Sequence, residues 1–152
     1  MSGYYLDDLN VGDEFRSYGR TITETDIVNF TCLAGIKVPI FIDEEFARTT
    51  SYGGRIVPGL LTAAISIGMM EEVLGPSLIA GLELNGFKFS FPVRPGDTLQ
   101  TIVAVEDKKL LSDQMRGLFF GRIRVNNQNK IQVLEFTQKL MMWRSPNKSG
   151  TG

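Results

Sequence analysis

Between Pro58 and Leu74 the chain reads Gly59-Leu60-Leu61-Thr62-Ala63-Ala64-Ile65-Ser66-Ile67-Gly68-Met69-Met70 before its first charge at Glu71, and Gly75-Pro76 ends the run. Pro58 suits a helix start, where its missing N–H would have no partner in any case. Small or apolar residues lie all round this helix up to Glu71, so it is buried on nearly every side. A helix without a polar face has to be wrapped by other elements.

The wrapping is legible downstream. Leu84 to Phe91, Thr98 to Glu106, Gly117 to Val125 and Ile131 to Trp143 are rich in β-branched and aromatic residues. Pro95-Gly96-Asp97 and Asn126-Asn127-Gln128-Asn129 supply turns between them. Phe87, Phe89 and Phe91 alternate with Lys88 and Ser90, the pattern of a half-buried antiparallel strand. With an N-terminal strand near Glu14 to Ile22, about five antiparallel strands around one long helix make an α+β domain.

Ahead of the long helix, Thr23 and Asp26 form the two ends of a capping box. They predict a helix over Glu24 to Ala34 with Ile27, Phe30, Thr31 and Ala34 on one face and Gly35 as its left-handed stop. Ile36 to Ile42 is an apolar run that Pro39 keeps from being a helix interior or a central strand, so a loop is expected there. Asp43 to Arg48 reads as one or two helical turns capped by Asp43, and Thr49 to Arg55 as a turn-rich loop.

At 152 residues the chain has the size of one domain, set at residues 1–144, followed by a polar tail over 145–152. Its 16 basic and 17 acidic residues form no basic stripe, which argues against nucleic acid and membrane surfaces as partners. The stretch Ile56 to Met70 falls short of the ~20 apolar residues of a spanning helix. With no leader read at Met1 to Asp8, the expected location is cytoplasmic. A single cysteine, Cys32, cannot close an internal disulfide. The absence of histidine excludes a Cys/His zinc site and every mechanism that uses the protein's own imidazole as proton carrier.

Five segments, in this order and spacing, resemble the MaoC-like dehydratases, whose members include the R-specific enoyl-CoA hydratases of the hotdog fold. They are Val11 to Phe15, Arg20 to Phe30, Asp43 to Ala47, Tyr52 to Thr62 and Phe91 to Leu99. The resemblance implies an antiparallel sheet wrapped around the long helix, and two such units paired as a homodimer or heterodimer. It further implies an acyl-thioester channel, carried on coenzyme A or an acyl-carrier protein, with no cofactor and no metal. In that family water adds across a trans-2-enoyl thioester, or leaves in reverse; an Asp and a His five residues later move the protons. The backbone N–H at the start of the central helix polarises the thioester carbonyl.

At the catalytic loop this sequence departs from the family pattern Gly-Asp-x-Asn-Pro-(Ile/Leu)-His. It reads Gly35-Ile36-Lys37-Val38-Pro39-Ile40-Phe41, with Ile36 in place of Asp, Val38 in place of Asn and Phe41 in place of His; Pro58 stands where a His commonly precedes the helix glycine. Hydration needs a base and an acid, together contributing ~10²–10⁴-fold. Ile and Phe supply neither.

What the resemblance leaves in place is Gly59, whose N–H is the candidate oxyanion-type donor. Asp43 and Tyr52 are the candidates for substitute catalytic groups, with Glu45 beside them. For substrate binding the candidates are Ile36 and Phe41 as an apolar lining, Lys37 facing a phosphate, a carboxylate or solvent, and Arg55 and Arg94 for the phosphates of coenzyme A. Three functions stay open at this point: a thioester-binding protein or non-catalytic half of a hydratase/dehydratase assembly, an active lyase with rebuilt catalytic groups, and a thioesterase on the same scaffold.

Overall fold

A computed structural model describes residues 4–146. After a 3₁₀ turn at Leu6–Asp8, the elements run β1 (Glu14–Arg16), β2 (Arg20–Thr21), α1 (Glu24–Ala34), α2 (Pro39–Ile42), α3 (Glu44–Arg48), α4 (Gly59–Leu74), β3 (Leu78–Phe89), β4 (Thr98–Leu110), β5 (Arg116–Asn126) and β6 (Gln132–Trp143). The strands form one antiparallel sheet in the order β1-β4-β5-β6-β3, and β2 also pairs with β4. It is the expected hotdog arrangement, with α4 as the element the sheet encloses.

Strict alternation sets the sheet's two faces. Along β5, Phe119, Ile123 and Val125 are buried, while Leu118, Phe120, Arg122 and Arg124 between them are half-buried on the outer face. The inner face meets Leu61, Ala63, Met69, Met70 and Leu74 of α4, together with Phe136, Leu140 and Met142 of β6. Polar ties cross this core as well: the Thr101 hydroxyl donates to the Ser66 carbonyl at 3.2 Å, and the Ser17 hydroxyl to the Met69 sulfur at 3.7 Å.

Helix α1 has the predicted bounds. Its Asp26 N–H donates to Thr23 Oγ1 at 3.2 Å, the Thr23 N–H donates to Asp26 Oδ2 at 2.7 Å, and Gly35 closes the helix at φ +66°. Arg20 grips the same Asp26 carboxylate through two nitrogens at 2.7 and 3.0 Å. The predicted helix face is covered at Ile27 and Thr31, whereas Ala34 is exposed.

Four expectations need correction. The Ile36 to Ile42 segment is a loop only up to Val38; Pro39 opens the short helix α2 at a position where its missing N–H costs nothing. Strand β3 begins at Leu78, not Leu84, because β6 runs twelve residues and its far half offers Leu140 to Met142 as ladder partners. The N-terminal strand is two short pieces, and at the break the Thr101 N–H donates to Ser17 Oγ at 2.9 Å instead of to a backbone carbonyl. Finally, α4 is not covered all round: Leu60, Ala64 and Gly68, four residues apart, form an exposed stripe.

The predicted 145–152 tail lies mostly outside the described residues. Its first residue is anchored: the Ser145 N–H donates to Asp7 at 2.9 Å, and the Arg144 guanidinium pairs with the same carboxylate at 3.0 Å.

Candidate functional site

The start of α4 lies at the bottom of a cleft of about 440 Å³, within the range of small-molecule sites. Two backbone bonds set its walls. The Val57 N–H donates to the Val93 carbonyl at 2.8 Å, fixing the approach to α4 against the segment after β3. The Ile56 N–H reaches the Ile40 carbonyl at 3.4 Å, tying that approach to α2. The lining is then Phe41 from α2, Tyr52, Ile56 and Val57 from the loop, Gly59, Leu60 and Thr62 from α4, Phe89 and Val133 from the sheet, and Ser90 to Val93 from the segment after β3.

At the floor, the Leu61 and Thr62 N–H groups both return to the Pro58 carbonyl, at 3.0 and 3.2 Å. The N–H groups of Gly59 and Leu60 have no acceptor among the described residues, as expected for the first turn of a helix. Phe89 closes on this spot: a Cβ added to Gly59 would lie 2.8 Å from its ring. Phe89 is the outermost of three rings, with Phe87 stacked on Phe136 at 4.7 Å and Phe89 beside Phe87 at 6.2 Å.

Of the candidates read from the sequence, Gly59, Phe41 and Tyr52 meet in the cleft. Ile36 and Lys37 stand outside the lining, Lys37 exposed. Asp43 is exposed and caps α3, accepting from the Phe46 N–H at 2.9 Å. Glu45 pairs with Arg48 at 2.9 Å. Each nitrogen of Arg55 is engaged by a carboxylate, using three of its five donors: Nε donates to Glu44 at 2.8 Å, and Nη2 and Nη1 donate to the two oxygens of Glu24 at 2.7 and 3.1 Å. Glu24 and then Glu44 raise the Arg55 pKa above its ordinary value, while Arg55 lowers that of Glu44. Arg94 donates to the Tyr52 carbonyl, steadying the loop that carries that ring.

Most of the lining is not marked in the sequence, and two of its residues matter most at the helix start, Phe89 and Thr62. Phe89 reads only as part of a strand alternation. Thr62 lies inside an apolar helix, although a hydroxyl three residues after Gly59 shares its face. That spacing was the available signal.

Chemically, the cleft offers two free N–H groups at the positive end of a sixteen-residue helix, walls of apolar and aromatic side chains, and three hydroxyls, on Tyr52, Thr62 and Ser90. None of its lining residues carries a carboxylate, an ammonium or a guanidinium.

Comparison with known proteins agrees with this geometry. The family model described as "MaoC like domain" matches residues 8–118. The chain is 30% identical over 137 residues to the (R)-specific enoyl-CoA hydratase of Rhodospirillum rubrum, covering 86% of this chain and 92% of that protein. It is 32% identical over 104 residues to Protein MaoC of Klebsiella aerogenes, covering 68% of this chain but only 31% of that longer protein. A crystal structure of a MaoC-like dehydratase from Rhodospirillum rubrum superposes with a TM-score of 0.81 at 28% identity, over 95% of this chain and 99% of the other. A domain match over most of the chain, a matching hotdog architecture and a cleft at the start of the enclosed helix lead to one assignment: the chain belongs to the MaoC-like family of hotdog proteins.

Proposed function

We propose that this chain binds an acyl thioester of the enoyl-CoA type in the cleft at the start of α4 and does not carry out the hydration for which its relative from Rhodospirillum rubrum is named. The observation that carries the reading is Phe41. It lines the cleft where the family pattern has His, and no lining residue supplies a carboxylate in place of the one lost at Ile36. An acyl group is suited to such walls, and the thioester carbonyl to the free Gly59 and Leu60 N–H groups. Proton transfer is not, because a general base has to stand within hydrogen-bond reach of the water it activates.

The engaged positions of Asp43 and Glu45 weigh against a rebuilt hydratase that uses those carboxylates, and the missing carboxylate weighs equally against a thioesterase. The rebuilt-site reading retains one support, the Tyr52 hydroxyl, which does line the cleft. Arg55, neutralised by two carboxylates, serves in this reading as a tie between α1, α3 and the loop before α4 and not as a phosphate grip. Arg94 remains the candidate for the carrier's phosphates. The assembly is a cytoplasmic dimer, two copies of this chain or one copy with a catalytic hotdog partner. The edge of β3, unpaired among the described residues, and the exposed stripe Leu60, Ala64 and Gly68 support it.

The test is mass-spectrometric detection of water addition to trans-2-enoyl-CoA thioesters from short to long chain, beside a hydratase with an intact Asp and His. No turnover, with native spectra showing a bound thioester, is the expected result. Turnover that Tyr52→Phe or Asp43→Asn abolishes would replace this reading with a rebuilt active site.

A further inference from the structure

Six Ser and Thr side chains are buried among the described residues: Ser17, Thr31, Thr62, Ser66, Ser77 and Thr101. Five of their hydroxyls donate to a carbonyl. Ser17 reaches Tyr18, Thr31 reaches Ile27 at 2.8 Å, Ser66 reaches Ala63 at 2.8 Å, Ser77 reaches Leu74 at 3.1 Å, and Thr101 reaches Ser66 at 3.2 Å. Thr62, only 2% exposed, is the exception, since its hydroxyl has no hydrogen-bond partner.

Its usual acceptor is already in use. A threonine inside a helix ordinarily donates back to the carbonyl four residues earlier, as Thr31 does. For Thr62 that acceptor is Pro58, whose carbonyl already receives the N–H groups of Leu61 and Thr62 itself. An unmatched buried hydroxyl is costly to retain, and such a group calls for a specific explanation.

Its location suggests the explanation. Thr62 lines the cleft and lies one turn beyond Gly59 on the same helix face. A helical side chain leans toward the N-terminus, over the preceding turn, which brings this hydroxyl toward the free N–H groups of Gly59 and Leu60. Three donors thus collect at one end of a cleft whose remaining walls are mostly apolar. With no cation in the lining, a neutral acceptor fits them better than a full negative charge does.

We propose that the Thr62 hydroxyl is a third donor to the carbonyl oxygen of the bound acyl thioester, beside the N–H groups of Gly59 and Leu60, and that it distinguishes carbonyl-bearing ligands from those without one. This rests on the thioester reading above. Thr62 makes no bond to the substrate carbon and moves no proton; it positions the carbonyl.

The experiment is calorimetric titration of the full chain with two probes: crotonyl-CoA, and the thioether butyl-CoA, which has the same carrier but no carbonyl. Wild type prefers crotonyl-CoA. Thr62→Val, nearly isosteric, lowers that preference roughly fivefold to tenfold, as expected for loss of one hydrogen bond, while Thr62→Ser keeps it. The melting temperature of the ligand-free Thr62→Val protein stays level or rises, since no protein hydrogen bond is removed. An unchanged preference in Thr62→Val, an equal loss in Thr62→Ser, or a lowered ligand-free melting temperature in Thr62→Val would overturn the inference and leave the thioester reading standing. If wild type binds neither probe, the thioester reading fails, and this inference with it.

Discussion

Gly59 and Phe89 are closely fitted to each other, since a Cβ at position 59 would lie 2.8 Å from the ring. The ring lies where a side chain at position 59 would have to be, so the helix start stays bare and the cleft stays narrow above it. Gly59→Ala forces the ring aside and is expected to destabilise the protein by about 1–3 kcal/mol. In a Phe89→Ala background the same change should cost little, because the obstructing ring is gone; urea denaturation of the four proteins in a double-mutant cycle measures that coupling. The sequence identified Gly59 through its place in a motif and Phe41 through what it replaces, and both line the cleft. It did not identify Phe89 or Thr62. Their importance depends on a ring and a carbonyl brought close by β3 and by Pro58, and neither contact is visible as spacing along the chain.

Elements with a local signal, the capped helix α1 and the strands β4, β5 and β6, were readable, and the half of β3 that depends on its partner was not. Helix α1 has its predicted bounds because Thr23, Asp26 and Gly35 all act within a few residues of themselves. The first half of β3 went unread, since Leu78 to Glu83 carries little alternation and becomes strand through its ladder with β6. Asp26 also shows how much one side chain can do for an element. Arg20, followed by bonds from Thr23, holds its carboxyl well below the ordinary carboxylate range despite partial burial. Because the folded value is depressed, the stabilisation is complete above the ordinary value of 3.8 and is lost as pH falls from there toward the folded value. Asp26→Asn should therefore lower stability by about 1 kcal/mol at neutral pH. The gap to wild type should close progressively in acid, which thermal melts between neutral pH and the acid limit of folding would record.

At the scale of the molecule, the two ends of the sheet differ in length. One is the three-residue β1 on β4, whereas the twelve-residue β3 ends the order at the other with Leu82 and Leu84 exposed and no neighbour beyond it among the described residues. A long edge of this kind is a template for further pairing, and Leu60 on α4 is exposed as well, at 62%. Light scattering coupled to gel filtration is expected to give a dimer for wild type. Leu84→Lys, which places a charge on the free edge strand, is expected to shift it to monomer with the melting temperature of the isolated unit otherwise preserved. The α+β class and the enclosed helix were evident from composition along the chain. The exposed stripe on α4 was not, because Leu60, Ala64 and Gly68 are as small or apolar as the residues that the core covers.

The clasp of Arg144 and Ser145 on Asp7 also has an optical consequence. Trp143, the sole tryptophan, precedes the Arg144 that clasps Asp7, and it sits at the Leu78 end of the β3–β6 ladder, whereas the cleft lies at the Phe89 end. Nine residue steps of strand from Leu134 to Trp143 separate the two by roughly 30 Å. Indole emission in this protein is therefore a gauge of whether Arg144 and Asp7 remain clasped, and it is blind to occupancy of the cleft in the same copy of the chain. A titration followed by tryptophan fluorescence alone would record silence even at saturation.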